Sequence, residues 1–243
     1  LRKYVVFLFL ASIRLIALLF WRRRIRWVGE RPAGDPWEGI RVVCFLHHTS
    51  LFEWVFISVV PLRFVWRVAC HGVVPAADKT IRRPLVGRFY KLIAAEVVSI
   101  TRERDHTWRD VLASIDPDSM VLIAPEGRMM RPNGLDGDGK PMTVRGGISD
   151  ILEAIGEGPL LVAYSGGLHH VQAPGELLPR PFRTIRMNLE WIDIAAFRAA
   201  RRGVAGTTDA GFKRAVVTEL ERRRDLYCPT PENLARQAAS ATD

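Results

Sequence analysis

Apolar residues along the chain fall into short runs of four to six, separated by stretches with helical spacing. Runs at residues 25–29, 42–46, 64–69, 97–101, 120–124 and 160–164 have the length and density of buried strands, and 184–192 reads as an edge strand. Between them, 52–60 suits a short helix ended by Pro61, and 84–94 a helix with proline in its first turn. Asp105 can cap a helix through Trp108, Val111, Leu112 and Ile115. Residues 147–155 and 209–226 also read as helices, the latter placing Phe212, Val216, Val217, Leu220 and Leu226 mostly on one face. Strand-helix alternation of this kind predicts an α/β fold: a mixed, mostly parallel sheet flanked by helices.

The ends differ from this middle. Residues 4–21 are almost wholly apolar, broken by Ser12 and Arg14, and are bracketed by Arg2 and Lys3 before and Arg22, Arg23, Arg24 and Arg26 after. The length is at the lower limit for crossing a bilayer, and a central arginine makes full crossing costly. A signal peptide would end in small residues where the arginines and Trp27 stand. The segment therefore reads as a membrane-seated helix; a helix packed on the protein's own core is the alternative. The expected division is a membrane-associated helix over 1–24, a folded domain over 25–227 and a flexible tail over 228–243.

Composition narrows the partners. The 243 residues carry 35 Lys+Arg against 26 Asp+Glu, a net charge of +9, and only Lys3, Lys79, Lys91, Lys140 and Lys213 are lysine. Such a balance favours an anionic partner: nucleic acid, a phosphorylated substrate or an anionic membrane. No helix-turn-helix, zinc finger or aromatic strand motif accompanies the charge, which argues against nucleic acid. Cys44, Cys70 and Cys228 are widely spaced, so neither a disulfide framework nor a structural zinc site is expected.

Candidate chemistry gathers at three strand ends. His47-His48-Thr49-Ser50-Leu51-Phe52-Glu53 follows the run at 42–46. An imidazole at a strand end can take a proton from a hydroxyl if a carboxylate orients its other nitrogen. His48 and Glu53 can meet if His48 lies in the turn before a helix and Glu53 in its first turn. The same letters, Ser50-x-x-Glu53, also spell a capping box, in which Glu53 serves only the backbone. Ala124-Pro125-Glu126-Gly127-Arg128-Met129-Met130-Arg131 follows the run at 120–124. Glycine there admits a ligand close to the backbone, and arginines can grip a phosphate; a surface turn with a salt bridge is the other reading. Arg102 stands at the end of a third run. His169-His170 have no cysteine or carboxylate pattern beside them, so loop histidines fit better than a metal site.

Together, in this order and spacing, these blocks resemble the glycerolipid acyltransferase family, and within it the bacterial, PlsC-like 1-acyl-glycerol-3-phosphate acyltransferases. The family's His-x4-Asp motif is matched by His48 through Glu53, with glutamate for aspartate as in late acyltransferases of lipid A. Its second block is matched by Pro84-Leu85-Val86-Gly87 and Ile100-Thr101-Arg102, its third by Ala124-Pro125-Glu126-Gly127-Arg128, and its fourth by Pro159-Leu160-Leu161-Val162-Ala163. Val144-Arg145-Gly146-Gly147 is similar to the family's lysine-glycine step into a helix. In the third block Arg128 replaces the usual threonine and Met129 the usual arginine. The resemblance implies acyl transfer from acyl-CoA or acyl carrier protein to a lysophospholipid hydroxyl, with no metal or other cofactor. It implies His48 as base and Glu53 as its orienting acid. Arg102, Glu126, Gly127, Arg128 and Arg131 would bind the acceptor, and the enzyme would work with membrane lipids at the cytoplasmic face of a bacterial inner membrane. Transfer to another lipid acceptor, or lipid binding without catalysis on the same fold, are the alternatives.

Overall fold

The structure is a computed structural model that describes residues 1–101, 106–176, 178–205 and 208–240. The N-terminal apolar segment forms α1 (Arg2–Phe20), which runs straight into strand β1 (Arg22–Trp27). Strand β2 (Val42–Leu46) leads into a 3-10 helix (Leu51–Val59), then α2 (Leu62–His71), β3 (Gly72–Ala77), α3 (Asp78–Ile81), α4 (Pro84–Tyr90) and β4 (Glu96–Ile100). After α5 (His106–Ala113) come β5 (Met120–Ile123), α6 (Gly147–Ile155), β6 (Pro159–Ser165) and β7 (Thr184–Asp193). Three helices close the chain: α7 (Ile194–Ala205), α8 (Asp209–Tyr227) and α9 (Pro231–Ser240).

The strands form one seven-stranded sheet in the order β1-β7-β6-β2-β5-β3-β4. Among the described residues every neighbouring pair is parallel except β6 with β7. The inner strands β2, β5 and β6 are near-unbroken apolar runs, as strands covered on both faces of a parallel sheet must be, whereas the edge strand β1 carries four arginines and is largely exposed. In β2, Val42, Cys44 and Leu46 enter the core shared with α6, α7 and α8, while Val43 and Phe45 pack against the core under α1, the 3-10 helix and α2.

Four elements depart from the sequence expectation. Residues 64–69 are helical, within α2: Phe64, Val65, Val68 and Ala69 recur at helical spacing and are all buried, and Pro61 stands at the N-cap. The strand of this region is β3, which lies inside the sheet although it contains Pro75, a residue rarely found in a central strand. Strand β7 is flanked by β6 and β1, and the sheet's edges are β1 and β4. The stretch expected as a tail contains α9, where the buried Asn233 donates to the carbonyls of Asp225 (3.0 Å) and Cys228 (2.8 Å).

Helix α1 uses one face against the protein. Val6, Leu10, Ile13 and Ala17, spaced three and four apart, are buried; Val5, Leu8, Leu15, Ile16 and Leu19 on the other side are exposed. Its central Arg14 turns inward and donates from Nε to the carbonyl of Val60 at 2.8 Å, which removes the charge from the apolar face.

Candidate active site

The chain leaves β2 through His47, which takes a positive φ of 66° and sets its Nδ1 2.9 Å from the carbonyl of Ser165. That turn carries His48 to the mouth of the central strand. The backbone N–H of His48 donates to Glu126 Oε2 at 2.8 Å, and its carbonyl accepts from Met130 N at 2.7 Å. The loops after β2 and β5 are thereby laced together around one imidazole.

His48 Nδ1 contacts Glu53 Oε2 directly. The other oxygen of Glu53 accepts from the N–H groups of Thr49 (2.6 Å) and Ser50 (3.3 Å), and Ser50 Oγ accepts from Phe52 N at 3.1 Å. The capping box and the histidine-carboxylate pair are therefore one arrangement: Oε1 closes the helix start while Oε2 holds the ring. With Nδ1 taken by Glu53, base chemistry falls to Nε2. Burial disfavours the charged ring, but the Glu53 carboxylate and then Glu126 outweigh it, so His48 titrates above the ordinary histidine value of 6.5.

The remaining sequence candidates fall into distinct places. Glu126 is 1% exposed, and besides the His48 N–H it accepts from Arg224 Nη1 at 3.2 Å. It faces the backbone of the histidine turn, away from solvent. Gly127, at a φ of 66°, makes the tight turn beside it and donates to Ala124 O at 3.0 Å. Arg128 is held by the carboxylates of Asp136 and Asp138. Asp136 is pulled down to about 2, chiefly by the N–H of Lys140, against its burial, with the N–H of Asp138 and the Arg128 guanidinium adding to the effect. Arg131 lies exposed at the start of the same loop. Arg102 lies outside the described residues, as does Asp105.

Two residues that sequence reasoning did not single out complete the frame. Arg224 of α8 reaches the Glu126 carboxylate and the carbonyl of Met142 (3.1 Å), tying the site to the C-terminal helix. Gln172, buried in the loop after β6, accepts from Ser50 Oγ at 2.5 Å and donates to Glu176 O at 2.6 Å. Neither carries a motif signal, since each acts from a distant part of the chain. Elsewhere, His169 and His170 set their Nε2 atoms 2.8 and 2.9 Å from the carbonyls of Met130 and Thr184. Among the described residues no three His, Cys, Asp or Glu side chains gather where they could ligate a metal.

Two cavities flank the end of β5, with Ile123 and Ala124 in the walls of both. One, about 300 Å³, is lined by apolar side chains such as Leu10, Ile13, Phe45, Trp54 and Phe89, with His48 and Glu53 in its wall. The other, about 520 Å³, is lined by Trp108, Gly127, Arg128, Arg145 and Lys213 on the opposite face of the sheet. Lys213 is paired with Asp150 at 2.7 Å, and Arg128 with its two aspartates. Among the described residues the exposed Arg145 has no carboxylate partner.

No family model matches the sequence, and no curated protein is similar to it in sequence. The fold does have a counterpart. The crystal structure of the 1-acyl-sn-glycerophosphate (LPA) acyltransferase, PlsC, from Thermotoga maritima matches with a TM-score of 0.56 at 17% identity, over 92% of this chain and 80% of that one. The chain thus has a PlsC-like acyltransferase fold.

Proposed function

We propose that this protein is an O-acyltransferase that moves a fatty acyl group from a thioester, acyl-CoA or acyl carrier protein, to a hydroxyl of a lysophospholipid. The observation that carries the reading is the His48–Glu53 pair in the wall of an apolar cavity. A thioester's acyl chain needs apolar cover, and its carbonyl needs a nucleophile freed of its proton. His48 Nε2 accepts the acceptor's hydroxyl proton, and the oxygen attacks the thioester carbonyl. The tetrahedral intermediate then collapses with loss of the thiolate, which recovers the proton from the imidazolium. Glu53 holds the tautomer and stabilises that imidazolium. Such base catalysis contributes about 10²–10⁴-fold, beyond what positioning adds. No metal or other cofactor enters this scheme.

In this reading Glu126 and Gly127 position the histidine turn, while Arg131 and Arg145 offer charge for the acceptor's phosphate alongside Arg102. The most direct acceptor is 1-acyl-glycerol-3-phosphate. The pairing of Arg128 with two aspartates favours a second version, in which the acceptor is a lysolipid with a different head. The exposed face of α1 supports a seat in the leaflet; in this reading the catalytic rim works at the cytoplasmic surface of a bacterial inner membrane.

Detergent-purified protein incubated with a long-chain acyl-CoA or acyl carrier protein and a panel of lysophospholipids tests this through free thiol and lipid product. Release is expected to require one lysolipid and to vanish in His48→Ala. Thiol release at the wild-type rate in that variant removes His48 from the role. Lipid binding without release from either donor would leave a non-catalytic binder.

A further inference from the structure

The segment 178–183 presents apolar side chains to solvent in an unusual way. Leu178 is 76% exposed and Phe182 is 66% exposed. Phe182 also sits at a φ of 61°, a strained conformation for a bulky non-glycine residue. The segment is fastened to the C-terminal end of α1 by three hydrogen bonds. Phe182 N donates to Phe20 O at 2.6 Å, Arg22 N to Arg183 O at 3.1 Å, and Trp21 Nε1 to Arg180 O at 3.1 Å. The rings of Phe20 and Phe182 lie 5.9 Å apart, so the exposed surface of Leu15, Ile16, Leu19 and Phe20 continues onto the segment.

Cations flank this apolar ridge: Arg180 and Arg183 within the segment and Arg23 at the start of β1 are exposed, and Glu176 pairs with Arg180, while Arg22, Arg24 and Arg26 alternate onto the face of the sheet that α8 covers. Arginines rimming an apolar ridge match the layering of an anionic bilayer, in which phosphates lie above acyl chains. A second copy of the chain docked on this ridge would bring the same cations face to face, which disfavours self-association.

We propose that residues 178–183 form a second lipid-inserting element. It dips Leu178 and Phe182 into an anionic leaflet beside the end of α1, with Arg180, Arg183 and Arg23 at the phosphates. This rests on the reading of α1 as lipid-seated and adds a second point of contact, which fixes the roll of the protein on the membrane.

A local probe tests it without using catalysis, so a failure of the acyltransferase reading would leave the result interpretable. An environment-sensitive fluorophore is attached through Phe182→Cys in the full chain carrying Cys70→Ser; Cys44 and Cys228 are buried. A control label is placed through Glu157→Cys, exposed near the opposite end of the sheet. With phosphatidylglycerol-containing vesicles, the label at 182 is expected to shift to the blue and to be quenched by brominated lipid, while the label at 157 does neither. In parallel, Leu178→Ser with Phe182→Asn, which suits the positive φ, should lower the vesicle partition constant about tenfold or more. Vesicle-bound protein with no response at 182 overturns the proposal. So does an unchanged partition constant, or a blue shift that appears without lipid and grows with protein concentration, which would assign the ridge to a second copy.

Discussion

A single carboxylate that both caps a helix and orients a base couples the rigidity of the turn to the state of the imidazole. Glu53→Gln keeps the shape but removes the charge that raises His48. A base works deprotonated, so wild-type activity should rise with pH through a midpoint above 6.5; in the variant burial prevails and that midpoint moves down. The pH profile of kcat/KM reads this shift, and the plateau should fall by about 10²–10⁴-fold. Asp136 offers a separate test. Its depressed carboxyl contributes stability that is present above the unfolded value of 3.8 and lost as pH falls through about 2. Asp136→Asn should therefore unfold more readily than wild type at neutral pH, and the gap should close on acidification, as followed by denaturant midpoints. His48 and Glu53 were legible in the sequence because their relation is local, five residues apart. Glu126 was legible as a candidate but its direction was not, because that depends on Arg224, ninety-eight residues away.

Among the elements, the strands of the central sheet were readable wherever both faces are covered, as in β2 and β6. The confusion of α2 with a strand has a physical source: a short apolar run has too few residues to display its period, and only burial on one side separates the two cases. β3 was obscured by Gly72 and Pro75, which weaken strand propensity while neighbouring strands supply the pairing. For α1, the buried seam contributes Leu10 and Ile13 to the wall of the smaller cavity. Leu10→Trp is expected to crowd that cavity, lowering kcat/KM on the longest acyl donors by about tenfold or more while sparing short ones, since one methylene is worth about 10–200-fold in an apolar pocket. A donor chain-length series measures it.

At the scale of the molecule, the site exists because β6, β2 and β5 are adjacent, bringing the loops after all three strands to one rim. The alternation of elements implied a mostly parallel sheet, but it left the strand order open. That order depends on which helices cover which face, and it alone brings Gln172 and Arg224 to the histidine turn. The two faces of α1 carry a consequence for how such an enzyme would be assayed. One wall of a single helix looks onto the cavity and the other outward, so a lysolipid held in an interface would reach His48 without first dissolving in water. Rates should then follow the acceptor's mole fraction in mixed micelles: diluting it with inert detergent at fixed molar concentration should slow turnover, whereas diluting the whole suspension should leave turnover per enzyme nearly unchanged while the protein stays bound.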